Sequence, residues 1–344
     1  MKKSLLSLLL ILFITGCGKE DNIAPIDYSI NKNYYDVYKD YKLSADNNYI
    51  VSNITSKYDL EEVELGLMRI STEYFSTDKY YYQSGQYLNK KTQQELLKIL
   101  NQQENETING ISLLPKYISY IYEQNYVNSV GKTIGISLGI ILNPYQIYTN
   151  ENGVVKYIEK DQNDVLNYGK EKANMLLKEL KKINDFKDKK ILLALYLQNS
   201  PNSLVPGNYY YEKDANNFNI NDFNKLDEKY YLLPSEEFSN VDTKLSESYT
   251  NFENDVTGLL SDYTSVVGKA LYSNNKCLEI NLNVNIAYPH KGDVLAVSQK
   301  IVESIVNNFD FNIYMQVNVK SNNELEAIVL RKNNSFEPKI YILD

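Results

Sequence analysis

The sequence is poor in the residues that usually form disulfides, zinc sites and catalytic pairs. Its 344 residues include two cysteines, one histidine and no tryptophan. A zinc site needs several histidine or cysteine ligands, and one of the two cysteines is assigned to a lipid below, which leaves no partner for a disulfide. The fold is therefore expected to rest on its hydrophobic core, without a metal or a cofactor.

An excess of basic residues is also missing. Lysine and arginine number 36 against 44 aspartates and glutamates, so the net charge is −8. Nucleic-acid binding depends on clustered positive charge, and nucleic acid is therefore not expected as a partner. The chain is 43% hydrophobic and 23% charged, which is typical of a globular protein, and its length predicts two domains.

The first seventeen residues carry the most specific pattern in the chain. Two lysines precede an apolar run over residues 5–14, and the run closes on Ile14, Thr15, Gly16 and Cys17. This is typical of a secretory signal peptide, because about ten apolar residues are too few for a membrane span of roughly 20. Cysteine after Ile-Thr-Gly fits a bacterial lipobox, so we predict that lipoprotein processing enzymes attach diacylglyceryl to Cys17 and cut before it. An uncleaved anchor and plain secretion are the alternatives.

The predicted anchor places the mature protein on the outer face of the cytoplasmic membrane, in a bacterium of the Gram-positive type. Two acyl chains hold a protein stably where one is marginal. Residues 1–16 are then the signal peptide. Residues 17–57, which begin with a polar stretch after the cysteine, form a lipidated tether and a polar N-terminal segment.

Two stretches of the remaining chain follow the same order of elements. Apolar and polar residues alternate over 278–286, which predicts a half-buried strand. Apolar residues then recur at three- and four-residue steps over 294–309, which predicts a helix with Asp293 as its N-cap. Strands are predicted next at 313–319 and 325–331, with a short edge strand at 340–342. The same β-α-β-β order is predicted earlier, from strands at 133–142, 190–198 and 204–211 and a helix over 165–183.

This repetition predicts an α+β fold of two related β-α-β-β repeats, each a mainly antiparallel sheet with a helix packed on one face. The first domain is predicted at 58–211, with its repeat core at about 131–211, and begins with helices near residues 60–70 and 92–101. A polar connector follows at 212–249. The second domain is predicted at 250–344, with its repeat core at about 266–344.

Several motifs resemble catalytic signatures but lack the required context, so no catalytic residue is predicted. Gly135, Ser137 and Gly139 match a nucleophile elbow, yet the residues after Ser137 prolong a strand instead of opening a helix. The sequence 131–133 ends like a phosphate-binding loop but lacks its first glycine. Cys277 and His290 flank opposite ends of one predicted strand, too far apart for a nucleophile and its base.

Carboxylates and tyrosines form conspicuous groups. The glutamates at 61, 62 and 64 and at 236 and 237 lack the spacing of a calcium loop, and a solvated surface is predicted for them. The 32 tyrosines include triplets at 80–82 and 209–211. They are interpreted either as an aromatic surface that stacks on sugars or peptides, or as a compositional bias shared with asparagine, lysine and isoleucine.

Several blocks, in order along nearly the whole mature chain, resemble the CamS sex-pheromone lipoprotein family of low-GC Gram-positive bacteria. They are ELGLMRIS at 64–71, FSTDKY at 75–80, GQYL at 85–88, EQNY at 123–126, IGISL at 134–138, VPGNY at 205–209, LLPS at 232–235 and VGKALY at 267–272. The resemblance implies a surface lipoprotein of two related repeats. In some members a short apolar leader fragment is released as a mating pheromone sensed by conjugating cells. The corresponding segment here is about 9–16, although its Thr15-Gly16 ending departs from the usual small residues.

Two functions from different classes follow. The first is a lipoprotein precursor whose leader yields a signalling peptide and whose mature part is a non-catalytic surface domain. The alternative is an extracytoplasmic module that binds cell-wall glycan or peptide through tyrosine-rich grooves between the repeats.

Overall fold

The computed structural model describes residues 35–46, 49–54, 56–215, 218–259, 264–287 and 290–343, with the backbone alone at residue 51. The helices are α1 (Lys57–Ser71), α2 (Lys90–Leu100), α3 (Gln162–Leu180), α4 (Glu236–Val241), α5 (Thr243–Thr257) and α6 (Lys291–Asn308). The strands of the first half are β1 (Tyr81–Ser84), β2 (Glu106–Ile108), β3 (Ile111–Leu113), β4 (Ile118–Val127), β5 (Thr133–Leu142), β6 (Tyr145–Thr149), β7 (Val155–Glu159), β8 (Lys190–Leu197), β9 (Asn208–Asp214) and β10 (Asn224–Lys225). Those of the second half are β11 (Glu228–Leu233), β12 (Ser265–Ser273), β13 (Lys276–Ile286), β14 (Tyr314–Ser321), β15 (Glu324–Arg331) and β16 (Lys339–Ile342).

Two six-stranded sheets dominate the fold, and they share one topology. The first has the order β1-β4-β5-β8-β9-β10 and the second β11-β12-β13-β14-β15-β16. In each sheet one central pair is parallel, β5 with β8 and β13 with β14, and the other pairs are antiparallel. Each parallel pair is joined by a helix, α3 or α6. The predicted α+β class with two related repeats is confirmed, and the repeat extends to the preceding strands, β4 and β12.

The second half has its apolar core on one face of its sheet. Ile280, Leu282 and Val284 of β13 are fully buried, whereas the asparagines between them are only half-buried. Val297 and Ile301 of α6 pack into the same cluster, together with residues of α5. The strands have apolar residues at every second position, and the helix has them at three- and four-residue steps. These apolar sides are buried against each other, as the sequence pattern predicts.

The first sheet is covered on both faces. On one face α2 and α3 pack against alternate residues of β5 and β8, including Ile136 and Leu193. On the other face α1, Tyr35 and Ile54 pack against the intervening residues, including Ile141 and Leu192. The predicted helix thus lies on one face, and α1 adds a second layer that the repeat alone did not indicate.

Three local predictions differ from the structure. The range 212–249, predicted as a polar connector, contains β10, β11, α4 and the first part of α5, because Leu233, Phe238 and Leu245 supply buried anchors among the polar residues. The strand predicted at 204–211 begins later, at Asn208. The last helix begins at Lys291, ahead of Asp293, whose carboxylate accepts the backbone N–H of His290 at 3.1 Å.

The Gly135-Ser137-Gly139 motif is a docking surface for α1 and its flanking residues. In a strand these three residues face the same side. A Cβ at Gly135 would lie 2.0 Å from the ring of Phe75, and one at Gly139 would lie 2.8 Å from the hydroxyl of Tyr209. Between them the Ser137 hydroxyl is fully buried and shares a 2.7 Å hydrogen bond with the hydroxyl of Ser71 in α1. The small residues leave room for the close approach of the helix.

Gly135→Ala should therefore destabilise the protein by about 1–3 kcal/mol, because the added methyl group overlaps a buried ring. Phe75 is 2% exposed and cannot swing into solvent. The free energy of unfolding from urea titration measures the effect. Gly292→Ala is the matched control, since nothing lies within 4 Å of a Cβ there; its change should stay within about 0.5 kcal/mol. Equal urea midpoints for the two variants would contradict this packing role.

Candidate functional site

The residues that sequence patterns single out do not assemble into one catalytic site. Cys17 and the leader lie outside the described residues. Cys277 lies near the start of β13 and His290 follows its end. Burial raises the pKa of the Cys277 thiol to about 12, which disfavours the nucleophilic thiolate. Gly131, with φ +79°, is part of the turn between β4 and β5 and is not part of a phosphate loop.

The prediction of a solvated surface holds for Glu61 and Glu64 but is wrong for Glu62. Glu61 and Glu64 are exposed on α1, whereas Glu62 is 3% exposed. The prediction fails at Glu62 because a solvated and a buried glutamate look alike in sequence when a hydrogen-bond partner, here Tyr230, lies far along the chain. Glu236 and Glu237, by contrast, are exposed as predicted.

Glu62 belongs to a buried ionic network that joins the two halves, which we call the junction network (Glu62, Arg69, Glu228 and Tyr230). Arg69 of α1 donates from Nη2 to Glu62 at 2.6 Å. It also binds Glu228 of β11 with two hydrogen bonds, from Nε at 3.1 Å and from Nη2 at 2.7 Å. The Tyr230 hydroxyl donates to the other oxygen of Glu62 at 2.6 Å. One guanidinium thus binds a carboxylate from each half.

Charged residues of β12 and β13 surround the network. Lys269 pairs with Glu61 at 3.7 Å and lies 5.1 Å from the centre of the Tyr230 ring. Glu279 is half-buried, and its carboxylate accepts a hydrogen bond from Asn281. Helix α1 therefore faces the first sheet on one side and strands β11 and β12 of the second sheet on the other.

Burial dominates the protonation of this region. It raises the pKa of Glu62, while the charge of Arg69 and the hydrogen bond from Tyr230 act to lower it. Burial likewise raises the pKa of Glu279, against the hydrogen bond from Asn281 and the charge of Arg69. Arg69 is thus the common counter-charge for carboxylates that the protein has removed from water.

One tyrosine of each triplet is part of the core, and the other four are half-buried. Tyr82 and Tyr209 are 4% and 0% exposed. The Tyr209 hydroxyl donates to the backbone carbonyl of Val63 in α1 at 2.8 Å. Similarly, the hydroxyl of buried Tyr196 donates to Asp59 of α1 at 2.7 Å. These phenols bury ring area and satisfy their polar atoms internally, so they do not form an open aromatic surface.

Tyrosine does line a cleft between the halves. The cleft has a volume of about 260 Å³, and Tyr210 and Tyr230 contribute to its wall beside Asn199, Lys229 and Glu237. Lys229 and Glu237 form an exposed ion pair of 2.6 Å at this cleft. The position agrees with a groove between the repeats, but the volume lies below the roughly 300–1,000 Å³ of usual small-molecule sites.

Among the described residues, no three or more histidine, cysteine, aspartate or glutamate side chains are grouped so that they could bind a metal ion. No helix in the same ranges is long and apolar enough to cross a membrane.

A family model described as CamS sex pheromone cAM373 precursor matches residues 41–337. The chain belongs to this family. The structure of this CamS-family chain resembles the crystal structure of a sex pheromone precursor from Lactobacillus salivarius subsp. salivarius UCC118. The two have a TM-score of 0.81 and 21% identity over 91% of this chain and 98% of that one, which shows a common fold.

A second similar structure is the C-terminal domain of the sex pheromone staph-cAM373 precursor from Staphylococcus aureus. It gives a TM-score of 0.73 and 26% identity over 85% of this chain and 98% of that chain. No curated protein sequence matches the chain. The CamS resemblance found in the sequence is thereby confirmed, and both sheets except the last strand, β16, fall within the matched range together with the junction network.

The junction network yields a stability prediction with a pH dependence. Arg69→Met should lower the free energy of unfolding by about 3 kcal/mol at pH 7.5, because it leaves Glu62 and Glu228 buried without their cation. Their side chains are 4% and 10% exposed. Lys91→Met, which breaks an ion pair whose members are 86% and 65% exposed, is the control and should change stability by less than about 0.5 kcal/mol.

Acidification should reduce the deficit of Arg69→Met. Removing Arg69 removes an influence that lowers the pKa of Glu62, so this pKa rises further above its ordinary value. A carboxyl with a raised folded-state pKa contributes stability at low pH and loses it as pH increases through that pKa. The difference between wild type and variant, measured by urea unfolding from pH 5 to pH 8, should therefore grow with pH. A constant difference would exclude Glu62 as its source.

Proposed function

We propose that this CamS-family chain is a lipoprotein precursor that is processed at Gly16–Cys17 and held to the outer face of the cytoplasmic membrane by diacylglyceryl on Cys17. Family membership over residues 41–337 is the observation that carries the proposal. It is supported by the lipobox pattern that ends at Cys17, upstream of the matched range. Tyr35 lies eighteen positions after Cys17, a distance of at most about 65 Å when fully extended.

The leader is proposed to supply a short apolar peptide, from about residue 9 to Gly16, that is released outside the cell as a signal. The relatives named above are sex pheromone precursors, which supports this step. The segment is almost entirely apolar up to Ile14. The mature body then acts as a surface domain without a catalytic role. The burial of Ser137 and the raised pKa of Cys277 support that last point.

Cys17→Ala should abolish incorporation of radiolabelled fatty acid, because it removes the thiol that forms the thioether. Cys277→Ala is the matched control, since it removes the only other cysteine and should retain full labelling. Labelling is measured on full-length protein expressed in a Gram-positive host. Labelling that survives in Cys17→Ala, or that disappears in Cys277→Ala, would refute the assignment.

Release of the peptide is tested separately, by mass spectrometry of the culture supernatant. A peptide that ends at Gly16 should appear with the wild-type chain and with Cys277→Ala, and should be absent with Cys17→Ala. Full labelling of Cys17 without such a peptide would support the proposed lipid anchor and exclude the proposed release of a signalling peptide.

A second candidate function is a binding module for cell-wall glycan or peptide, supported by Tyr210 in the cleft between the halves. Tyr210, like Tyr211, is half-buried, whereas Tyr209 beside it is fully buried. Tyr210→Ala should weaken binding of soluble wall fragments by about tenfold if its ring stacks on the ligand. Tyr41→Ala, an exposed tyrosine of the N-terminal segment, serves as the control. Equal binding by both variants would exclude the cleft.

A further inference from the structure

A second cleft, outside the junction, collects positive charge on this acidic protein. It has a volume of about 820 Å³ and opens where the connection from α3 enters β8. Its wall contains Lys181, Lys187, Lys189 and Lys190 with a single carboxylate, Asp214, giving the lining a formal charge of +3. The complete chain has a net charge of −8. We call this site the lysine cleft. Its aromatic and aliphatic surface includes Phe75, Ile191 and Phe218.

No carboxylate of the described residues forms an ion pair with these four lysines. Lys187 donates a hydrogen bond to the side chain of Asn184 at 2.7 Å, and the Lys189 ammonium lies 5.9 Å from the centre of the Tyr87 ring. Their positive charge is therefore available to a ligand. Lys182, by contrast, is paired with Glu179 at 2.5 Å in the same region.

The backbone that carries the lysines is fixed by the core. Phe186 is fully buried and packs edge-on against Tyr87 with ring centres 5.7 Å apart. Backbone hydrogen bonds from Lys187 to Asn184 and from Lys189 to Phe186, each 3.2 Å, close the turn around it. Only Lys181 lies at the C-terminal end of α3, and a helix dipole acts within about one turn. Helix capping therefore does not account for the other three lysines.

The duplication provides an internal comparison. The corresponding connection in the second repeat, from α6 into β14, borders a cleft of about 370 Å³. Lysines 244 and 276 in its wall are matched there by Asp242 and Asp310, so its formal charge is zero. The shared topology thus does not require a positive cleft at this position. The lysine cleft is not evident in the sequence because Asp185 and Asp188 are interspersed with its lysines.

We propose that the lysine cleft binds a ligand that carries two or more closely spaced phosphate groups. Lysine binds phosphate as a mobile point charge, and a lining charge of +3 matches a multiply charged group better than a single carboxylate. The apolar surface beside the lysines can cover the uncharged part of such a ligand. The rest of the surface is acidic overall and repels long polyanions, so the site suits a short oligophosphate or a lipid headgroup that carries two phosphates.

Binding can be followed with one fluorophore, because the sequence contains no tryptophan. Phe218→Trp places an indole in the cleft wall. In this background, carried by the full-length Cys17→Ala chain, tripolyphosphate should change the indole emission with a dissociation constant that rises with salt, because exposed charges are screened. Lys187→Gln/Lys189→Gln/Lys190→Gln should weaken binding by at least about tenfold.

The control is Lys91→Gln/Lys98→Gln/Lys156→Gln, which removes the same charge from exposed lysines outside the cleft and should change affinity by less than about twofold. Co-sedimentation of both variants with cardiolipin vesicles, whose headgroup carries two phosphates, and with phosphatidylcholine vesicles distinguishes the sources. Cleft-dependent binding to tripolyphosphate supports a soluble oligophosphate, and cleft-dependent binding to cardiolipin vesicles alone supports a lipid headgroup. Absence of binding to both probes, or equal loss in the two triple variants, overturns the proposal. None of these outcomes depends on the lipid anchor.

Discussion

The interaction on which the arrangement of the two halves depends is that of Arg69 with Glu62 and Glu228. Removing a carboxylate from water is unfavourable unless a cation and hydrogen bonds replace the lost hydration. Arg69 serves one carboxylate of its own helix and one of β11. Asp59, a turn before Glu62 in α1, accepts hydrogen bonds from Tyr196 and from the backbone of Gly207, both in the first half. Helix α1 is thus fastened to both sheets through buried acids.

The position of α1 also explains why duplicated sheets have different sequence patterns. Strand β8 is buried at seven consecutive residues from Ile191 to Leu197, since helices cover both faces of its sheet. Strand β13 alternates between buried and half-buried residues, since α6 and α5 cover only one face of the second sheet. A strand buried on both faces becomes continuously apolar, whereas a strand buried on one face alternates. The burial patterns of β8 and β13 therefore differ because helices cover both faces of the first sheet at β8 and one face of the second sheet at β13, although the two sheets share one topology.

Elements defined by local periodicity could be predicted from the sequence, and contacts between distant charged residues could not. The alternation of β13 and the helical spacing of α6 identified one repeat, and the apolar run of β8 helped to identify the other. Glu62 was placed in solvent because its partner Tyr230 lies 168 positions away in the chain. The range 212–249 was taken for a connector because its many polar residues conceal anchors such as Leu233 and Phe238, whose burial depends on the second sheet.

The serine motif shows why residue spacing alone does not define a site. In a strand, Gly135, Ser137 and Gly139 point to one side, and their small size lets Phe75 and Tyr209 approach the backbone. In a hydrolase the same Gly-x-Ser-x-Gly pattern forms a nucleophile elbow, because a sharp turn after the strand exposes the serine hydroxyl. Here the strand continues to Leu142, and the Ser137 hydroxyl remains sealed beneath α1. The same three residues that could suggest catalysis instead create the close contact through which α1, and with it Arg69, is held in place.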